Sequence, residues 1–143
     1  MDVKIQKIGV GLDGSTASYK ALQEALDLAR KLEAEVVALH VLPIPVDLAE
    51  YGASMVELEA ELRKEAEAIL ARASEEAQKQ GIPYQGVILE GAIAESMASY
   101  AENEGLDLLA VGYQGKSKLS ELIIGSVTAK LLGISKIPLL VIK

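Results

Sequence analysis

The residues best suited to chemistry in this sequence are three glycines and a serine between positions 112 and 126. The segment reads GYQGKSKLSELIIGS, in which Gly112 and Gly115 are three residues apart and Gly125 directly precedes Ser126. Closely spaced glycines let a backbone turn tightly and approach a ligand, because they have no Cβ. A helix beginning at Ser126 would present free main-chain N–H groups, and such helix ends bind anions. The segment therefore predicts a phosphate-binding loop.

The local charge of this segment favours the same interpretation. Between Gly112 and Lys130 there are three lysines and one glutamate, a net charge of +2, whereas the whole chain has a formal charge of −7. A phosphate would be drawn to such a segment. Lys116 and Lys118 either reach the phosphate or are simply exposed. The alternative for the loop as a whole is that its glycines form turns and Ser126 caps a helix.

Five hydrophobic runs alternate with helical patterns along the chain. The runs are almost continuously apolar, which is typical of strands buried on both faces of a parallel sheet. The predicted strands are Ile5–Leu12, Glu35–Leu42, Gln85–Leu89, Asp107–Val111 and Ile137–Ile142. The predicted helices are Ser15–Glu33, Val56–Gln80, one from Ile93 that Gly105 closes, and Ser126–Leu132, which Gly133 closes. This order predicts a single α/β domain over residues 1–143, an open sheet with helices on both faces.

The loops that follow the strands are the expected place for a ligand, since open α/β sheets bind ligands where the strand order reverses. In the first of these loops, Asp13 either contacts a ligand or caps the following helix. The loop Pro43–Ser54 is long and irregular, and it either covers the site or is an ordinary surface loop.

Composition excludes several classes of function. The chain has no Cys, which removes disulfide scaffolds, thiolate metal sites and cysteine nucleophiles. The single histidine, His40, lies in an apolar run and is expected to be a hydrogen-bonded core residue. Acidic composition argues against nucleic acid as a partner. No run reaches the roughly 20 apolar residues of a membrane span, and no signal-peptide pattern is present, so we expect a cytoplasmic protein without a membrane partner.

The spacing Gly112-x2-Gly115-x9-Gly125-Ser126 resembles the ATP-binding signature of the universal stress protein family, G-x2-G-x9-G-[ST]. Further segments are similar to that family, and they are IGVGLDGS at 8–15, LHV at 39–41, DLLAVG at 107–112, GSV at 125–127 and IPLLVI at 137–142. The similarity extends over the whole chain and is weakest at Pro43–Ser54. Two departures lie outside the signature: Tyr113-Gln114 replaces commoner small or basic residues, and Ile93 stands where proline is frequent.

The resemblance implies a Rossmann-like five-stranded parallel sheet of strand order 3-2-1-4-5, in a homodimer that binds ATP with Mg²⁺ bridging the phosphates. It implies that Asp13 contacts the sugar side and that the main chain of Val41 holds the adenine. The nucleotide-binding residues so expected are Gly11, Leu12, Asp13, Val41, Val111, Gly112, Gly115, Lys116, Gly125, Ser126 and Val127. No catalytic residue and no metal-binding side chain is expected.

We interpret the chain as an ATP-binding protein of stress response or signalling. Two alternatives stay open, a slow ATP hydrolase and a dimeric interaction module with a vestigial nucleotide site. A dedicated pyrophosphatase or adenylyltransferase is not indicated, because the loop at 12–15 lacks an SGGxDS sequence and one histidine cannot form an HxGH motif. If Ile137–Ile142 forms the sheet edge, its uncovered hydrogen-bonding groups predict a homodimer through that strand.

Overall fold

The computed structural model describes residues 4–43, 52–115 and 123–143, and these residues form a five-stranded parallel sheet. The strands are β1 (Lys7–Gly11), β2 (Glu35–Leu42), β3 (Tyr84–Glu90), β4 (Leu108–Gly112) and β5 (Leu139–Ile142). Their order is β3-β2-β1-β4-β5, and every neighbouring pair is parallel. The predicted strand order is therefore confirmed, and it reverses between β1 and β4.

Helices cover both faces of the sheet, as predicted. In the described residues they are α1 (Thr16–Leu32), α2 (Ala53–Lys79), α3 (Ile93–Asn103) and α4 (Ser126–Ile134). The apolar stripe of α1 packs with that of α2 on one face, while α3 and α4 build a second core on the other. None of these helices has both the length and the apolar character needed to cross a bilayer.

The first helix begins at a serine. Ser15 is the N-cap of α1, and its hydroxyl accepts a hydrogen bond from the N–H of Ser18 at 3.1 Å. The alternative that Asp13 caps the helix is wrong, because its Oδ1 instead accepts from the N–H of Ser15 at 2.9 Å, within the turn before the helix. Both residue types are good caps, so the choice depends on how the chain leaves β1.

The predicted helix ends are correct at two glycines and wrong at a third. Gly81 and Gly105 follow α2 and α3 with φ values of 67° and 69°, the left-handed conformation that stops a helix. Gly133 does not close α4, because it has no positive φ and the helix continues to Ile134. The main chain then turns at Ser135, so that β5 begins at Leu139, two residues later than predicted.

The last residue of β4 packs against α1 with no room for a side chain. A Cβ on Gly112 would lie 3.0 Å from the Cβ, carbonyl carbon and oxygen of Ala17. Because these atoms belong largely to the helix backbone, Gly112→Ala is expected to reduce the free energy of unfolding by about 1–3 kcal/mol in urea denaturation. Gly133→Ala is the control, since a Cβ there has no atom within 4 Å. Equal stability of the two variants would contradict this packing role.

Candidate functional site

A cleft of about 320 Å³ opens at the carboxyl ends of the strands, where the strand order reverses between β1 and β4. Its lining residues are Gly11, Leu12, Asp13, Ser18, Leu39, His40, Val41, Ile93, Met97, Val111, Gly112, Gln114, Gly115, Gly125, Ser126, Val127 and Thr128. Ten of the eleven predicted nucleotide-binding residues are among them. The eleventh, Lys116, lies outside the described residues.

One end of the cleft, the glycine end, is formed by Gly112–Gly115 and the start of α4. The N–H of Gly125 donates to the carbonyl of Tyr113 at 2.8 Å, which closes the loop on itself. The hydroxyl of Thr128 donates to the carbonyl of Gly112 at 2.8 Å and fixes α4 to the end of β4. No side chain of the described residues caps α4. The N-terminus of α4, with its partial positive charge, therefore lies beside Gly115 and suits an anion.

The carboxylate of Asp13 faces this glycine end. A Cβ on Gly115 would lie 2.7 Å from Asp13 Oδ2, so glycine at 115 leaves the space that the carboxylate occupies. The N–H of Asp13 is 3.4 Å from the hydroxyl of Ser18, which is buried beneath it. This contact and the bond from the N–H of Ser15 hold the Asp13 carboxylate beside Gly115.

The opposite end of the cleft is apolar. Leu39, Val41, Val111 and Met97 are buried there and belong to the core between the sheet and α3 and α4. Met97 reaches in because Gly11 has no side chain: a Cβ on Gly11 would lie 2.8 Å from the Met97 sulfur. Apolar walls with a few convergent polar groups are the usual form of a small-molecule site.

The polar groups at the apolar end come from the main chain of β2, which extends three residues beyond the last pair of β1 and β2, Gly11 with Leu39. The N–H of Leu12 donates to the carbonyl of Leu39 at 2.8 Å, the final main-chain bond to β2 on this side. Alternate residues of a strand direct their N–H and C=O groups to the same side. The groups of Val41 therefore point past the end of β1, into the cleft.

His40 lies at the rim of the cleft. Its ring Nδ1 is 2.7 Å from the carbonyl oxygen of Leu12, so the expected hydrogen bond is present. The expectation of a core position is wrong, because the side chain is half-buried and lines the cleft. The β2 strand extends beyond β1, and this extension places His40 at the carboxyl end of the sheet, beside the cleft.

Some residues that line the cleft were not predicted from the sequence. In addition, one lysine of the positive segment is paired with an acidic side chain. In the sequence, the spacing of Ile93 and Met97 fits the apolar face of a helix, and only the position of that helix after β3 could have assigned them to the cleft as well. Lys130, counted above in the positive segment, forms an ion pair of 2.9 Å with Glu95 of α3. The other two lysines of that segment and residues 44–51 of the proposed covering loop lie outside the described residues.

Comparison with known proteins identifies the family. The model of the universal stress protein family matches residues 4–143. Universal stress protein YxiE of Bacillus subtilis is 32% identical over 145 aligned residues, 96% of this chain and 98% of YxiE.

Two solved structures are similar in fold. That of MJ0577 from Methanocaldococcus jannaschii has a TM-score of 0.88 and 30% identity, covering 99% of this chain and 97% of that one. A universal stress protein from Archaeoglobus fulgidus, solved in complex with dAMP, has a TM-score of 0.74 and 20% identity, covering 99% and 100%. The second shows likeness of fold alone, whereas the family match spans nearly every residue: this chain belongs to the universal stress protein family.

Proposed function

We propose that this protein binds ATP in the cleft between the ends of β1 and β4, with adenine at the apolar end and phosphates at the glycine end. The observation that carries the proposal is the presence, in one cleft, of the Val41 main-chain groups and of the glycine-lined start of α4. The Archaeoglobus relative solved with dAMP has an adenine nucleotide on this same fold.

The main chain of Val41 accounts for the choice of base. Adenine presents an acceptor at N1 beside a donor at its 6-amino group, and the N–H and C=O of Val41 can pair with these in turn. Guanine presents a donor at N1 and an acceptor at O6, the reverse order. A main-chain donor and acceptor fixed in a strand cannot exchange places, so adenine is favoured over guanine.

The glycine end accounts for the phosphates and the metal ion. The N–H groups of Ser126 and Val127 at the start of α4, with the open backbone of Gly115, would bind phosphate oxygens. Asp13 would bind the sugar side. Mg²⁺ binds nucleotides through the phosphates and needs few protein ligands.

We also propose a twofold dimer joined through β5. The N–H of Leu109 donates to the carbonyl of Pro138, and that of Tyr113 to the carbonyl of Ile142, so Pro138 and Ile142 face β4. By alternation, the main-chain groups of Val141 face the open edge. The helix α4, whose Leu131 lies in the same core as Leu139 and Val141, also exposes apolar side chains, with Leu132 57% and Ile134 38% exposed. An apolar edge that no strand of the described residues covers is suited to pairing with a second copy.

In this proposal the bound nucleotide sets the state of a protein that acts in stress response or signalling. A cytoplasmic location stays a prediction from the sequence. Isothermal titration tests the nucleotide: with MgCl₂ present we expect one ATP per chain and at least tenfold weaker binding of GTP, a difference of about 1.4 kcal/mol.

Two outcomes of that titration would replace the proposal. Absence of ATP binding at millimolar concentration would leave a dimeric interaction module with a vestigial site. Equal binding of ATP and GTP would contradict the pairing of the base with Val41. Assay of the same solution for ADP over hours measures whether bound ATP is slowly hydrolysed.

A further inference from the structure

We infer that His40 is a positioning residue that keeps the N–H of Val41 available for the base, because its ring occupies the carbonyl that would otherwise accept from that N–H. The inference rests on the proposed adenine site, which it deepens by naming the residue that creates the polar edge. Its basis is the way in which the hydrogen bonding between β1 and β2 ends.

In a parallel pair, the N–H of a residue donates to a carbonyl on the neighbouring strand. The carbonyl of that same residue accepts from the N–H that lies two residues later on the neighbouring strand. Leu12 donates to the carbonyl of Leu39 at 2.8 Å. Continuation of the pattern would make the carbonyl of Leu12 accept from the N–H of Val41. Among the described main-chain hydrogen bonds this one is absent, and the pairing of β1 with β2 ends at Gly11 with Leu39.

The ring of His40 takes the place of that main-chain donor. Its Nδ1 lies 2.7 Å from the carbonyl oxygen of Leu12. Since a carbonyl oxygen accepts and cannot donate, the proton of this bond is on Nδ1. The carbonyl is thus satisfied by a side chain, the chain of β1 is free to turn away toward Asp13, and the N–H of Val41 points into the cleft.

Without the donor on the His40 ring, we expect one further main-chain hydrogen bond to form between β2 and the end of β1, from the N–H of Val41 to the carbonyl of Leu12. In His40→Leu the carbonyl of Leu12 would be left without a donor, and an unsatisfied carbonyl is costly enough to draw in the N–H of Val41. The base would then lose its main-chain donor. His40→Asn is the matched control, since its amide nitrogen can stand where Nδ1 stands and donate to the same carbonyl.

The test compares ATP with 1-deaza-ATP, which lacks the N1 acceptor. We expect wild type and His40→Asn to bind ATP about tenfold more tightly than 1-deaza-ATP, the size of one well-made hydrogen bond. In His40→Leu that ratio should fall to about one, with ATP bound about tenfold more weakly than by wild type. A ratio that stays near tenfold in His40→Leu would overturn the inference, because a purely structural loss would weaken both nucleotides equally.

Two readouts need no nucleotide, so they separate this inference from the proposed function. Amide hydrogen exchange at Val41 should be at least tenfold slower in His40→Leu than in wild type and His40→Asn. The three proteins are compared under conditions that give them the same free energy of unfolding. Equal exchange in the three proteins would overturn the inference. Nitrogen-15 spectra of wild type alone should show His40 protonated at Nδ1 near neutral pH. A ring protonated only at Nε2 would contradict it, even if His40→Leu fails to fold.

Discussion

ATP with Mg²⁺, at a hundredfold excess over its Kd, is expected to raise the melting temperature of the wild-type protein by about 5–13 °C, and Gly125→Val is expected to abolish that rise. A ligand bound to the folded state alone stabilises it by about 2.7 kcal/mol at this excess. In a domain of this length each kcal/mol moves the melting temperature by about 2–5 °C. Differential scanning fluorimetry or calorimetry measures the shift.

The position of Gly125 explains the expected loss. A Cβ there would lie 3.3 Å from the Cα of Gln114 and 3.4 Å from the nitrogen of Gly115, so the two methyl groups of valine must enter the glycine end. Gly115→Val should act alike, because its Cβ would displace the Asp13 carboxylate, 2.7 Å away at Oδ2.

Gly133→Ala is the control for both valine variants. Gly133 lies near the far end of α4, has open space around it, and should keep the full shift with ATP. Folded valine variants that shift as much as wild type would show that these glycines are turn residues without a role in binding.

Val141→Pro is expected to convert the proposed dimer to a monomer, or to precipitate the protein. Proline removes the N–H of Val141, which faces the open edge and not β4, so the ladder between β4 and β5 keeps its own bonds. The substitution therefore acts on pairing with a partner strand. Light scattering coupled to size-exclusion chromatography measures the mass.

The control for the dimer is Val141→Thr, which keeps the N–H and nearly the same shape. It should stay dimeric at the concentration where Val141→Pro is monomeric. A wild-type protein that is monomeric, or a proline variant with unchanged dimer mass, would exclude β5 as the interface.

Much of the fold could be predicted because its signals are local. Continuous apolar runs such as Glu35–Leu42 indicate buried strands, and β2 has those bounds in the structure. The three glycines of the predicted loop, Gly112, Gly115 and Gly125, all line the cleft. Helix ends at Gly81 and Gly105 follow from the residue type together with the positive φ that it permits.

The features that were not predicted depend on contacts between distant parts of the chain. Glu95 and Lys130 are neighbours because α3 and α4 lie side by side, which no local pattern specifies. The sequence indicated a hydrogen bond for His40 but not its partner, the carbonyl of Leu12, because that contact depends on β2 extending beyond the end of β1. Gly112 is the residue type expected in a ligand-binding loop, and it also packs against Ala17. This second role could not be predicted, because it depends on the position of α1 against β4.

The central claim, that ATP binds between the ends of β1 and β4, is tested most directly by mapping amide shifts of the nitrogen-15-labelled protein during titration with ATP and Mg²⁺. We expect the largest changes at Val41, Gly115 and Val127, which lie at both ends of the cleft. Little change is expected at Gln85, on the edge strand β3. Shifts confined to residues outside the cleft, with Val41 and Val127 unmoved at saturation, would contradict it.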